Sequence, residues 1–197
     1  KTVDAPLKEN LAAGILRLSG WQPGVALLDP MCGSGTFLIE AAQMALRVAP
    51  GARREFAFQR LRHFDPAAWK RLLDAARAGE AAAAEAGIFG SDISPVAVRA
   101  TLANLDRAGL LPAVKLSTGD LLDIDAPAAR GILVSNPPYG ERVSDHDELA
   151  EFYPLLGSAL KRHFAGWNCY LISADTRLPK LVRLTPSRKT PLFNGAL

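Results

Sequence analysis

A chain of 197 residues, 49% of them hydrophobic, can close one substantial core, and no long disordered tract competes for it. Its formal charge of +3 permits contact with nucleic acid without establishing it. Only Cys32 and Cys169 are present, without paired spacing, so a disulfide framework and a cysteine zinc site are excluded; no apolar run is long enough for a membrane span and no signal peptide opens the chain. The expectation is a soluble protein of a reducing cytoplasm, one domain over residues 1–197.

In chain order, "PLKENLAAGILRLSG" has Pro6 near its start, apolar residues at helical spacing and a closing Gly20, which predicts a helix. "VALLD" predicts a buried strand and "GTFLIEAAQMALRVA" a helix. A stretch at about 48–86 reads as an insertion of two helical pieces, the later one carrying "PAAWKRLLDAARA". "GIFGSD" is the next strand, followed by a helix with Ser94 as N-cap, Pro95 at its first position and Gly109 closing it. Strands "AVKLSTGD" and "GILVSNPPY", a helix near Glu148 to His163, strand "CYLISA", and a short helix near Leu178 to Arg183 follow. The chain starts without Met and ends at an Asn194-Gly195 hairpin turn with two residues after it, so it reads as a piece of a longer protein. Strands alternating with helices predict parallel crossovers, hence a doubly wound α/β sheet with helices on both faces. Such sheets bind ligands beyond the carboxyl ends of their strands.

Asp29, Asp92, Asp120 and Asn136 all fall at or just past predicted strand ends. Each Asp alone reads as a helix cap or turn residue. Four in phase point to one polar rim.

Three ligands can explain the Gly-rich turn in "LLDPMCGSGTFLIE". A phosphate loop needs a lysine after its last glycine, and Thr36-Phe37 stand there. A dinucleotide turn needs a third small residue, where Leu38 stands. S-adenosylmethionine has no phosphate; it needs backbone room, which Gly33 and Gly35 offer, and a ribose carboxylate, which Asp92 offers.

The deciding stretch is "SNPPYG", residues 135–140. An exocyclic amine on a nucleobase is a poor nucleophile because its lone pair is delocalised into the ring. Two acceptors aimed at its hydrogens draw the nitrogen towards tetrahedral geometry and point the lone pair at a methyl group. The Asn136 side-chain oxygen and the Pro137 carbonyl could be those acceptors, with the prolines fixing the backbone and Tyr139 stacking on the base.

"DPMCGSGT", "SDIS", "TGD" and "SNPPYGER", in this order, resemble the class I S-adenosylmethionine-dependent methyltransferases that act on exocyclic amines. With "APLKENLAAGILRLSGWQPG", nearly the whole chain resembles the THUMP-associated methyltransferases that form N2-methylguanosine in large-subunit ribosomal RNA. The resemblance implies a Rossmann-like fold, S-adenosyl-L-methionine as cofactor, RNA as partner, and a THUMP-type RNA-binding module in the full-length chain. It implies that Asp29, Met31, Gly33 and Gly35, with Cys32 and Thr36 in the same turn, line the methionine part of the cofactor. Asp92 with Ile93 would take the ribose hydroxyls, and Asp120 with Leu121 the adenine amine. Asn136, Pro137, Pro138 and Tyr139 would hold the target base, Asn136 also bordering the cofactor. Lys8 and Asn10 match the family's upstream element. Two other functions stay open: an N6-adenine methyltransferase on DNA or RNA, which shares the Asn-Pro-Pro-Tyr element, and a cofactor-binding RNA assembly scaffold without catalysis.

Asp92 lies 57 residues beyond Gly35, far more than the roughly 20 of a compact dinucleotide fold, because the insertion intervenes. Its Arg47, Arg53, Arg54, Arg60, Arg62, Lys70 and Arg71 read equally as RNA contacts or a solvated face, while Phe56, Phe58 and Trp69 read as core. His63, His146 and His163 lack partners at ligand spacing, so no metal is expected. Cys32 reads as packing, and Glu141 with Arg142 as a surface pair or a substrate contact.

Overall fold

The computed structural model describes residues 7–52, 54–81, 86–138, 145–173 and 177–193. The elements run α1 (Glu9–Leu18), β1 (Leu27–Asp29), α2 (Thr36–Ala45), a 3-10 turn (Ala57–Arg60), α3 (Pro66–Ala78), β2 (Ile88–Asp92) and α4 (Pro95–Ala108). After a second 3-10 turn (Leu111–Ala113) come β3 (Val114–Thr118), β4 (Gly131–Ser135), α5 (Asp145–His163), β5 (Trp167–Leu171) and α6 (Leu178–Leu181). The strands form one parallel sheet in the order β3-β2-β1-β4-β5. This is the expected doubly wound α/β fold.

Strands β1 and β4 are buried at every position, as a parallel strand covered on both faces must be. Their pleat divides neighbours between two cores. Leu27, Ile132 and Val134 pack with Ile15 and Leu16 of α1, Phe37 and Leu38 of α2, and Leu105 of α4. Leu28 and Leu133 pack on the opposite face with Tyr153, Leu156 and Leu160 of α5. The chain winds from β1 to β2 and β3 on one side, then returns to β4 on the other, so the winding reverses at β1. A ligand crevice opens at such a reversal.

Local chemistry sets the element ends. Ser94 Oγ accepts from the Ala97 amide at 3.4 Å, Pro95 fills the first turn of α4, and Gly109 ends it at φ 66°. Asp65 Oδ1 accepts from the Ala67 and Ala68 amides and starts α3. The earlier helical piece of the insertion is the 3-10 turn Ala57–Arg60. α5 begins at Asp145, one turn before the expected Glu148, and carries Pro154 within it. β5 begins two residues earlier than the sequence suggests, because Trp167 pairs with Gly131 and its indole N–H donates to the Ala128 carbonyl at 2.8 Å. The hairpin turn at Asn194-Gly195 lies outside the described residues. Among them, no helix is long and apolar enough to cross a membrane.

Candidate active site

The sheet order places the polar strand ends in a row. Asp120 follows β3, Asp92 ends β2, Asp29 ends β1 and Asn136 follows β4, so the four residues line the rim in the sequence of their strands. Three strand spacings separate the first from the last, about 14 Å. A shallow groove of about 510 Å³ beside Ala26, Arg130 and Asn168 opens at the opposite end of the sheet and contains none of these residues.

Asp29 is 2% exposed, and its Oδ1 accepts from the Met31 amide at 3.3 Å. Burial, with the neighbouring Asp92 charge adding to it, pushes the carboxyl up to about 7 against the pull of the Met31 amide. The Ser135 hydroxyl lies close enough to favour the charged form weakly, without forming a hydrogen bond of good geometry. Asp92 uses both oxygens on the backbone. Oδ2 accepts from the Gly33 amide and Oδ1 from the Ser94 amide, each at 2.9 Å. Each oxygen keeps a second lone pair for a ligand hydroxyl. Ile93 beside it is exposed. Asp120 Oδ1 accepts from the Leu122 amide at 2.9 Å, and Leu121 is buried against Leu28 and Leu133.

The Gly-rich turn is locked from α4. Gly33 and Gly35 adopt φ of 54° and 85°, conformations that side chains resist. A Cβ on Gly35 would meet Thr101 Cγ2 at 2.6 Å. The buried Thr101 hydroxyl donates to the Gly33 carbonyl at 2.8 Å, and Asn104 Nδ2 donates to the Ser34 carbonyl at 3.0 Å. Cys32 Sγ lies 3.7 Å from Thr101 Oγ1; burial and the Asp29 charge push its thiol up to about 12, so it stays protonated. That agrees with a packing role. Gly35 leads into α2, whose start at Thr36 has no side-chain cap and whose first turn has no acid, leaving its amides open at the rim.

At the end of β4, Asn136 Oδ1 is buried and has no hydrogen-bond partner among the described residues. An orphaned buried acceptor costs about 1–3 kcal/mol, which a ligand N–H would recover. Pro137 is buried and Pro138 exposed, and the Pro138 carbonyl accepts from the Tyr153 hydroxyl of α5 at 3.1 Å. Tyr139, Gly140, Glu141 and Arg142 lie outside the described residues. Lys8 and Asn10 are exposed at the start of α1.

The family model described as UPF0020, RMKL-like methyltransferase domain, matches residues 1–197. The chain belongs to this family. Ribosomal RNA large subunit methyltransferase K/L of Shewanella frigidimarina is 41% identical over 201 residues, covering 100% of this chain and 28% of that protein. SMU.472, solved in complex with SAH, superposes with a TM-score of 0.91 at 35% identity, covering 99% of this chain and 52% of that one. A "predicted N6-adenine-specific DNA methylase" of Listeria monocytogenes superposes at 0.89 with 29% identity, covering 98% and 50%. The chain thus spans well under two thirds of each.

Within this family domain, the residues that sequence reasoning missed are Thr101, Asn104 and Tyr153. The first two read as ordinary positions of an amphipathic helix, and only the tertiary fold turns them towards the turn. Thr101→Val keeps the shape and leaves the Gly33 carbonyl without its donor; urea denaturation should register a loss of about 1–2 kcal/mol. Asp29 gives a pH signature. Its native carboxyl titrates near 7 against an ordinary 3.8, so the folded chain binds the proton more tightly between those values, and stability falls as pH rises through that window. Measured against Asp29→Asn, the wild type should lose on the order of 3 kcal/mol between pH 4.5 and 7.5. A pH-independent difference would place the carboxyl in water.

Proposed function

We propose that this chain is the catalytic domain of an enzyme that methylates the exocyclic N2 amine of a guanine in large-subunit ribosomal RNA, using S-adenosyl-L-methionine. The observation that carries the reading is the buried Asn136 Oδ1 at the end of the acidic rim, without a hydrogen-bond partner among the described residues. The name of the Shewanella relative supports the ribosomal RNA substrate, and the SAH complex of SMU.472 supports the cofactor.

The residues present fit that cofactor. Its ribose diol would meet the free lone pairs of Asp92, its adenine amine would meet Asp120, and its methionine part the Gly33–Thr36 turn, where the open amides of α2 favour a carboxylate. A cation beside Asp29 would stabilise a carboxylate that burial otherwise disfavours. When bound, the cofactor supplies a methyl carbon on a cationic sulfur that is its own leaving group.

The protein then has to place the nucleophile. Asn136 Oδ1 and the Pro137 carbonyl accept the two amine hydrogens, which localises the nitrogen lone pair and directs it along the rim. The two prolines and the Tyr153 hydroxyl hold that backbone at one angle. Tyr139 would stack on a guanine extruded from its helix. The amine proton leaves to water after transfer, so no strong base is required, and the raised Cys32 thiol plays no covalent part. An RNA-binding THUMP-type module would lie in the remainder of the full-length protein.

Nucleoside mass spectrometry tests the reading directly. Unmodified large-subunit ribosomal RNA and DNA are each incubated with full-length protein and labelled S-adenosyl-L-methionine. Labelled N2-methylguanosine from the RNA is the expected product. Labelled N6-methyladenine would overturn the base assignment, and no label from either polymer, with cofactor still bound, would favour the assembly scaffold.

A further inference from the structure

The basic excess of the chain lies wholly in the insertion. Residues 47–87 hold eight Lys or Arg and five Asp or Glu, a balance of +3 that equals the whole chain's +3, so everything else sums to zero. Two of the five acids are already engaged: Asp65 caps α3, and Asp74 pairs with Lys70. Arg60, Arg62, Arg71 and Arg77 are exposed and have no carboxylate partner among the described residues.

The fold gives α3 no place in the main core, since none of its residues is buried. Instead Phe56 and Phe58 stack at 5.3 Å, and Trp69 of α3 meets both edge-on at 5.8 and 5.1 Å. Arg54 lies over the Phe56 ring at 5.4 Å. This small aromatic cluster, with Phe58 still 40% exposed, fixes α3 to the 3-10 turn and holds the arginines outward. The insertion leaves from the far end of α2 and returns at the start of β2, closed by the Ala81 amide donating to the Leu46 carbonyl at 2.8 Å. Ten residues of α2 put this closing point about 15 Å from the rim.

We infer that the insertion is a second RNA contact, gripping phosphates of a structured segment that runs down the side of the domain while the target nucleotide sits at the rim. This rests on the ribosomal RNA reading above. Guanidinium groups without acidic partners among the described residues suit phosphate oxygens, to which they donate in pairs. Contacts this far from the chemistry raise RNA affinity without changing the transfer step. The salt dependence of binding is their signature.

The test uses the full-length protein with Arg60, Arg62, Arg71 and Arg77 changed to Gln, and the same four changed to Lys. The probe is an unmodified transcript of large-subunit ribosomal RNA. The Gln variant should bind it about tenfold more weakly at 0.1 M KCl, with a log–log salt slope shallower by about 3. Its SAH affinity and its kcat at saturating RNA should match the wild type, and the Lys variant should recover most of the slope. An unchanged slope with SAH binding intact overturns the inference, as does a loss confined to contact with another part of the full-length protein. Failure of the substrate reading would show in the identity of the labelled nucleoside, whereas failure of this inference shows in the salt slope.

Discussion

The Asp92 carboxylate joins three parts of the chain that are distant in sequence. One oxygen holds the Gly33 amide in the turn after β1, the other holds the Ser94 amide at the start of α4, and the residue itself ends β2. Through α4 the same bond positions Thr101 and Asn104, whose hydrogen bonds to the Gly33 and Ser34 carbonyls complete the turn. Without Asp92, the left-handed glycines would lose the contact that selects their conformation, and the polar row along the rim would lose one of its two inner members. The arrangement is possible because β1 and β2 are hydrogen-bonded neighbours at the point where the winding reverses.

The rim is locally unfavourable. Asp29 is buried near a second carboxylate, and Ser135 Oγ and Asn136 Oδ1 are buried without hydrogen-bond partners among the described residues. The sheet beneath offsets this. β1 and β4 are covered on both faces, and Leu27 and Leu28 anchor two separate cores one residue apart. Polar groups held by such a frame keep their geometry when a ligand arrives, so binding recovers their desolvation without a further ordering cost.

Much of this was legible in the sequence. The alternation of strands with helices implied the parallel sheet, Pro95 and Gly109 marked α4, and the spacing of Asp29, Asp92, Asp120 and Asn136 marked the rim. These signals are local, so no tertiary knowledge was needed to read them. Thr101 and Tyr153 were not legible, because a hydroxyl on a helix declares its partner only once helix and loop are packed. The double duty of Asp92 was hidden for the same reason: the sequence marks a carboxylate at a strand end, while its bond to Gly33 crosses 59 residues. The length of the first helical piece of the insertion was not legible, because Phe56 and Phe58 pack on Trp69 and one short turn satisfies that cluster.

The acceptor at Asn136 is the centre of the proposed chemistry, and single-turnover methyl transfer by full-length Asn136→Ala tests it most directly. Loss of one preorganised polar group at a reacting centre should slow transfer by about a hundredfold or more while SAH affinity stays within a few-fold of wild type. Transfer at the wild-type rate would contradict the amine-orienting role.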